Sequence, residues 1–193
     1  MAGQNKLGAL LWSHLCQLQS AEAAALVEFA VSLPLLVVLV VGIFDFGGAF
    51  NLKQELNNAV REGAIFGASQ PTNDISPTIP SPPSVDAIRF LVDSYLNAAQ
   101  INDCGLKLLP EPAQGGGLLW VYNATTGCSL TLQIARGVTV PTNGAPPVNL
   151  LCTTVHISYS YQWHFNNVIQ LLVPGANYNL GNIQSDATAF NMN

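Results

Sequence analysis

The stretch ALVEFAVSLPLLVVLVVGIFDFGGAF, residues 25–50, decides how this chain is organised. It is almost continuously apolar, and no charged residue lies between Phe29 and Phe44. A helix needs about 20 apolar residues to cross a bilayer, and the neutral residues on either side supply the missing length. The stretch therefore predicts a membrane-spanning helix. A cleaved secretory signal is the alternative, although such signals have a positive charge close before a core of about 7–15 residues, and here Lys6 is the only nearby cation.

Two carboxylates lie at the ends of this apolar stretch. Glu28 stands at its start and Asp45 near its far end. A charge at membrane depth costs at least about 2.5 kcal/mol, so Glu28 is expected to have a function. Asp45 has two possible roles, as a residue at the outer boundary of the bilayer or as a residue that faces another helix. The positive charges do not orient the span, because Lys6 precedes it and Lys53 follows it.

Composition limits the classes of protein that this chain can belong to. Its 193 residues allow one ordinary domain in addition to a membrane segment. Hydrophobic residues make up 49% and charged residues only 9%, against about 25% charged in typical soluble domains. A formal charge of −5 with six Lys and Arg argues against nucleic-acid binding, which requires a basic surface.

The residues after the apolar stretch continue the helix with an apolar seam. The segment LKQELNNAVREGAIFGAS (52–69) places apolar or small residues at alternating spacings of four and three. These residues are Leu52, Leu56, Ala59, Gly63 and Phe66. Ala59, Gly63 and Gly67 also form a small-residue stripe suited to close helix packing. The pattern predicts one continuous helix over residues 24–68, with a kink at Pro34.

A proline-rich segment, SQPTNDISPTIPSPPS (69–84), predicts the end of this helix and a linker or surface loop. The next segment, SVDAIRFLVDSYLNAAQI, has its apolar residues on one helical face. Ser84 is the predicted N-cap of this second helix, and Asp86 is favourably placed in its first turn.

From Gly105 onward the apolar residues alternate with polar ones, which predicts β-strands. The predicted strands are LKLL (106–109), LLWVY (118–122), SLTLQIARGVTV (129–140), TTVHISYSYQWHF (153–165) and a closing IQSDATAFNM (183–192). NVIQLLV (167–173) is a candidate short helix. The predicted fold class is α+β: a long N-terminal transmembrane helix, then a small exported domain with one helix and an antiparallel β-sheet. Residues 153–164 are expected to form a long strand in that sheet.

The chain shows no pattern typical of catalysis, of metal binding or of cofactor binding. On an extended strand, His156 and His164 would share a face but lie about 26 Å apart, too far to bind one ion. Cys152 and His156 would be about 13 Å apart, beyond the reach of a thiol–imidazole pair. We therefore predict no catalytic residue, no metal site and no cofactor.

The cysteines predict one disulfide. Three of them follow the span, which suggests one bridge and one thiol left over. In a meander, Cys104 would begin the first strand and Cys128 the third, so that these ends share an edge. Cys152 would begin the fourth strand at the opposite edge. We therefore favour a Cys104–Cys128 bridge with Cys16 free, and the alternative that all the cysteines are reduced and buried stays open.

A small-residue leader, a glutamate followed by an aromatic residue and a long apolar helix resemble the organisation of type IV pilin precursors. More narrowly, AALVEFAVSLPLLVVLVVGIFDFGGAF (24–50) with NNAVREGAIFGAS (57–69) resembles the TadE-like family of tight-adherence (Flp-type) pilus assembly proteins. The resemblance is dense over roughly residues 21–69. It is weaker beyond them, where VHISYSYQW and SDATAFNM are similar in kind to that family's ending.

The resemblance implies that an inner-membrane prepilin peptidase removes a leader, and that the product joins or helps to assemble a pilus. Relatives carry the glutamate of the Glu28–Phe29 pair as the fifth mature residue, which places the cut between Ala23 and Ala24. Pilin precursors usually have glycine at the position of Ala23. Glu28 would then pair in low dielectric with the amine freed at Ala24, or with that of a neighbouring subunit. In the alternative, its carboxylate simply reaches the lipid headgroups.

These expectations divide the chain into four parts. They are a leader (1–23), a transmembrane and extended helix (24–68), a proline-rich linker (69–84) and an exported α+β domain (85–193). The expected function is that of a minor-pilin-like (pseudopilin) component of a tight-adherence pilus assembly system, in contact with the bilayer, other pilin-like subunits, inner-membrane assembly proteins and the peptidase. The expected location is the bacterial inner membrane, crossed once, with the C-terminal domain outside the cytoplasm. A membrane-anchored binding module is the alternative function, and an enzyme with an unrecognised site is a third.

Overall fold

The computed structural model describes residues 4–141, 149–172, 175 and 181–191. It describes side-chain surroundings within these ranges from Ala23 onward, except at residues 114, 166, 167, 171 and 172. It contains three α-helices: α1 (Gln4–Ser69), α2 (Pro83–Ala98) and α3 (Phe165–Leu172). A single 3-10 turn (Leu106–Leu108) follows α2. The strands are β1 (Ala113–Gln114), β2 (Leu119–Ala124), β3 (Leu130–Pro141), β4 (Asn149–Tyr159) and β5 (Ile183–Phe190). The predicted α+β class, with a long apolar helix before a small domain that contains an antiparallel sheet, is confirmed.

The contacts divide the described chain into two units. One unit joins the first part of α1, up to Asp45, to α3. The other contains the rest of α1 from Phe46, together with α2 and the five strands. Helix α1 passes through Pro34 without interruption.

The first part of α1 is long and apolar enough to cross a membrane. The most apolar window in Ala23–Ser69 has a mean hydropathy of 2.6, and none of that window is buried. Large apolar side chains point outward on every side of the helix, as on a helix that is surrounded by an apolar solvent. These exposed residues include Leu26, Val31, Leu35, Leu39 and Phe44.

The second unit has one hydrophobic core, built between α1, α2 and the sheet. Leu56 and Val60 of α1 are fully buried in it, as are Ile88 and Val92 of α2. The sheet contributes alternate side chains, since strand residues point to opposite faces in turn. Its buried members in this core are Trp120, Tyr122, Ala124, Leu130, Leu132, Ile134, Val155 and Ile157. The seam predicted for residues 52–66 therefore faces this core.

The sheet is an antiparallel meander in the order β1-β2-β3-β4-β5. Its long central pair has Leu132 opposite Ile157 and Ile134 opposite Val155. The register shifts between Arg136 and Val138, where Gly137 has a φ of 73°. This is a β-bulge with glycine in the left-handed region, which bends and twists the strand locally.

Two strand predictions are wrong. LKLL forms the 3-10 turn and not a strand, because Leu106 is buried while the carbonyl oxygens of Leu106 and Lys107 accept hydrogen bonds from Arg89 of α2. Strand β4 begins four residues earlier than predicted and ends at Tyr159, although the alternation continues to Phe165. The partners of Tyr159 are Leu130 and Ile183, the first residues of β3 and β5, so no strand is available to pair with residues 160–164.

The predicted N-cap of α2 is wrong by two residues. The cap is Pro82, and Pro83 occupies the first turn, where its missing N–H costs nothing. The first-turn position of Asp86 is confirmed. Ser84 lies inside the helix, and its backbone N–H donates to the Asp74 carboxylate at 2.8 Å. A carboxylate from the proline-rich segment thus satisfies one of the orphan donors at this helix end.

Candidate functional site

Helix α1 is the candidate functional element, because its two parts have opposite surroundings. No residue from Ala23 to Val41 is buried, so this part presents a continuous apolar surface. Ala23, Ala24, Glu28 and Phe29, the residues of the predicted processing site, all lie on it.

Glu28 is exposed on the first part of α1. Its backbone carbonyl accepts a hydrogen bond from the Ser32 hydroxyl at 2.7 Å. Ser32 lies one helical turn after Glu28, so its hydroxyl is hydrogen-bonded within the helix and needs no other partner in an apolar medium. Among the described residues, the Glu28 carboxylate has no hydrogen-bond or ion-pair partner.

Asp45 has surroundings that contrast with those of Glu28, since its side chain is almost fully buried. Its carboxylate accepts a hydrogen bond at 2.9 Å from the backbone N–H of Phe165, the first residue of α3. The His164 ring Nδ1 lies 3.4 Å from the other carboxylate oxygen. An anion at a helix N-terminus is stabilised by the unpaired N–H groups and by the helix dipole. Asp45 thus faces another helix, which is one of the two roles predicted for it.

The small residues of α1 allow close packing in the second unit. Ala59, Gly63 and Gly67 are all buried. A methyl group added at Gly63 would lie 3.0 Å from Val92 of α2. At Gly67 it would lie 2.6 Å from Ile88 of α2 and 2.8 Å from Thr153 of β4. The stripe predicted for helix packing therefore contacts a helix and a strand of its own chain.

The C-terminal end of α1 is held by a buried arginine. Arg136 has no exposed surface, and its guanidinium donates hydrogen bonds to the carbonyl oxygens of Gly67, Gln70 and Pro71 at 2.9–3.3 Å. Asp74 lies 3.8 Å from the same group. Burial lowers the pKa of Arg136, and the Asp74 carboxylate acts in the opposite direction. A cation at this position satisfies the orphan carbonyls and complements the helix dipole.

A second link joins α1 to the sheet. The Lys53 ammonium group donates to the backbone carbonyl of Gln184 and to the Ser185 hydroxyl, both on β5. Lys53 is not one of the residues of the predicted seam, and its partners lie on a strand more than a hundred residues later, so the sequence did not predict this contact. Together with Arg136, this contact fixes the second part of α1 on the domain.

Cys104 and Cys128 form a disulfide that closes a separation of 24 residues. Cys104 precedes the 3-10 turn and is fully buried, so the bridge ties the segment after α2 to the turn between β2 and β3. Cys152 is a free, buried thiol on β4. The meander assumed for this pairing is observed, but Cys104 precedes a 3-10 turn and not the first strand. The side chain of Cys16 lies outside the described residues.

Two carboxyl groups beside this disulfide influence each other. Burial and the nearby Asp103 carboxyl raise the pKa of Asp93 on α2. Partial burial acts to raise the pKa of Asp103, but hydrogen bonds from the Gly105 backbone N–H and from Asp93 lower it overall. Of the two carboxyl groups, Asp93 therefore binds a proton more readily than Asp103, whose carboxylate accepts from the Gly105 backbone N–H at 3.2 Å.

The histidines have separate surroundings. His156 lies on β4 opposite Gln133 and Asp186, whereas His164 lies beyond the strand, beside Asp45. The prediction that both share one strand face is therefore wrong. Within residues 23–141, 149–172 and 181–191, no group of three His, Cys, Asp or Glu side chains is placed to hold a metal ion.

Comparison with known protein families finds a match that lies within α1. Residues 23–64 match the family model described as TadE-like protein. The match covers the apolar part of α1 and most of its packed part, and it ends before α2. It confirms the resemblance to the TadE-like family, a structural and non-enzymatic family associated with pili. Searches of curated proteins and of solved structures each found no match.

This match and the exposed apolar helix fit a membrane-anchored, pilus-associated protein with a C-terminal domain.

Sequence reasoning missed two of the residues that hold the C-terminal end of α1 in place, Arg136 and Asp74. Arg136 stands in a β-strand pattern, and its only signal is that a lone arginine precedes a glycine in an otherwise uncharged strand.

Proposed function

We propose that this protein is a minor-pilin-like (pseudopilin) component of a tight-adherence pilus assembly system, and that it acts by helix packing and subunit interaction. The observation that carries the proposal is the division of α1 into an apolar part with no buried residue from Ala23 to Val41 and a part packed on a globular domain. Such a helix offers residues 23–41 to lipid or to the helices of other subunits. The family match to this same helix supports the proposal.

The proposed location is the bacterial inner membrane, crossed once, with the sheet domain outside the cytoplasm. The Cys104–Cys128 disulfide supports this orientation, because disulfides persist in oxidising compartments and are rare in the cytosol. Closing a loop of 24 residues stabilises a fold by about 3 kcal/mol in the chain-entropy model, so the domain benefits from such a compartment.

The proposed maturation step is a prepilin-peptidase cut between Ala23 and Ala24. It would leave Glu28 one helical turn from a new amine. The exposed Glu28 carboxylate, which has no partner among the described residues, is then available to pair with that amine or with the amine of a neighbouring subunit. In a low dielectric such a pair is favourable only when both charges are present, and removal of one leaves the other unpaired at high cost.

The test compares Glu28→Gln with Glu62→Gln, an exposed acid on the packed part of α1. Both variants should insert and fold, and Glu62→Gln cells should assemble normal pili. Glu28→Gln cells should lose pili, because the freed amine has lost its counter-charge. In unaltered cells, mass spectrometry should find a mature N-terminal peptide that begins AALVEF, and sheared pili should contain this chain or co-purify with it.

Normal pili in Glu28→Gln cells together with an intact leader would contradict the pilin-like role. That result would favour the alternative, a single-pass binding module whose β-rich domain recognises an extracytoplasmic ligand, since a simple anchor has no use for an amine beside Glu28.

A further inference from the structure

Helix α3 is an element for which neither the sheet domain nor the pilin-like role provides a purpose. It follows β4 in the chain, yet it belongs to the same unit as the apolar part of α1. Its sequence FNNVIQLL contains no charged residue. Phe165, Val168 and Ile169 recur at the i, i+3, i+4 spacing of one helical face and are only half-buried, while Gln170 on the opposite side is exposed.

The N-terminus of α3 is fixed at the end of the apolar stretch of α1. The Asp45 carboxylate accepts the Phe165 N–H at 2.9 Å, with His164 beside it. A methyl group added at Gly42 would lie 3.4 Å from the Phe165 ring, so this ring rests on α1 about one turn before Asp45. The contact buries Gly42 on a helix whose preceding residues, from Ala23 to Val41, include none that is buried. Helix α3 therefore starts where the lipid-facing surface of α1 ends.

An isolated helix of eight residues is not stable in water, so α3 requires a surface that covers its apolar face. The apolar surface next to it is that of the span, whose solvent is lipid. A short helix with one apolar and one uncharged polar face can lie in the plane of a bilayer with the apolar face buried about 5–10 Å into the headgroup and acyl boundary. Because α3 has no Lys or Arg, attraction to anionic lipid would not contribute to its binding.

We propose that α3 is an interfacial helix whose partner is the lipid surface, and that the Asp45 carboxylate fixes it at the end of the span. The helix would set the depth at which α1 stops in the membrane. Phe165 would bridge the two helices, and Val168 and Ile169 would enter the lipid beside them. This inference rests on the membrane anchoring in the proposed function and is independent of the pilus role.

The test places single spin labels on the full chain in vesicles of phosphatidylethanolamine and phosphatidylglycerol. Cysteine is introduced by Val168→Cys on the apolar face of α3 or by Gln170→Cys on its polar face, in a Cys16→Ser background that keeps the buried Cys152. Leu36→Cys in the span and Asn123→Cys on the exposed part of β2 serve as the lipid and water references. Relaxation by oxygen, which partitions into lipid, is compared with relaxation by a water-soluble nickel chelate.

The label at position 168 should favour oxygen, to a smaller degree than the label at 36, whereas the labels at 170 and 123 should favour the nickel chelate. Adding Asp45→Ala should shift the label at 168 toward the chelate and leave the label at 36 unchanged. The comparison of 168 with 170 needs no change at Asp45, so it decides the question even where Asp45→Ala fails to fold.

Equal chelate access at positions 168 and 123, with oxygen access retained at 36, would overturn the interfacial role and leave the anchoring intact. Chelate access at position 36 would overturn the anchoring itself and this inference with it. Dipolar broadening between labels at 168 would show that a second copy of the chain covers α3, which also overturns the lipid assignment.

Discussion

The two parts of helix α1 are both rich in apolar residues, yet the first part exposes them and the second part buries them. Leu36 in the first part is 54% exposed, whereas Leu56 in the second part has no exposed surface. The first part carries large apolar residues on all sides, and the second has a seam of small and apolar residues with polar residues opposite. The comparison teaches that the arrangement around the helix, and not the apolar content, distinguishes a surface meant for lipid from a surface meant for a protein core.

The largest effect is expected when the contact between Arg136 and the C-terminal end of α1 is removed. Arg136→Met should lower the free energy of unfolding of the domain by about 4 kcal/mol, because three carbonyl groups and the Asp74 carboxylate lose their buried partner. Urea unfolding of the full chain in detergent, followed by near-UV circular dichroism, measures the change. Arg61→Met changes an exposed arginine on the second part of α1. It is the control and should alter stability by less than about 0.5 kcal/mol. Equal effects of the two substitutions would show that Arg136 does not hold the helix end.

The same truncation in both parts of α1 tests the comparison directly. Leu56→Ala should cost the domain about 3 kcal/mol, since it removes a fully buried side chain and leaves a cavity. Leu36→Ala should leave the unfolding of the domain unchanged in the same urea experiment. Membrane insertion should respond differently at this position. Leu36→Arg should reduce insertion, because a charge at membrane depth is costly, whereas Leu36→Ala should not reduce it. A domain that is destabilised equally by Leu36→Ala and Leu56→Ala would refute the division.

Two glycines of α1 should respond to alanine with opposite signs. Gly67→Ala should destabilise the domain by about 2 kcal/mol, because the added methyl group meets Ile88 and Thr153 at less than 3 Å. Gly47→Ala has open space around the added group and should stabilise the helix by up to about 1 kcal/mol through helix propensity. Thermal unfolding of the two variants in parallel reports both signs. Stabilisation by Gly67→Ala would mean that α2 and β4 are not held against this face.

The smallest expected effect is a pH dependence that is confined to the domain. The pKa of Asp93 is raised above 3.8, so the folded state binds more protons than the unfolded state, and stability falls as pH rises from 3.8 through the raised value. Asp93→Asn imitates the protonated form and can still donate to Asp103, so it should remove this loss and give a small gain at neutral pH. The exposed Asp186→Asn is the matched control and should not change the pH profile of unfolding. An identical profile in wild-type and Asp93→Asn protein would contradict the raised pKa of Asp93.

The sequence predicted the elements more reliably than their ends. The span, the seam from Leu52 to Phe66, α2 and the strands near residues 119, 130 and 183 all follow from local periodicity. The end of β4 at Tyr159 does not, because the alternation runs on through Trp163 and stops being a strand only where β3 and β5 provide no partner. The prediction that LKLL forms a strand was wrong for a related reason, since its carbonyl groups accept hydrogen bonds from Arg89 and not from a neighbouring strand.

The sequence by itself determined that one helix is apolar on all sides and then on one side only, because hydrophobic periodicity is a local property of the chain. It also pointed to Glu28 and to the small-residue stripe, since both depend on residue type and spacing within one helix. Only the tertiary structure decided that Asp45 fixes the start of α3, that Arg136 binds the end of α1 and that Lys53 reaches β5. Each of these contacts joins residues that are about 65 to 130 positions apart, and such pairs leave no periodic trace because their geometry exists only after the chain has folded.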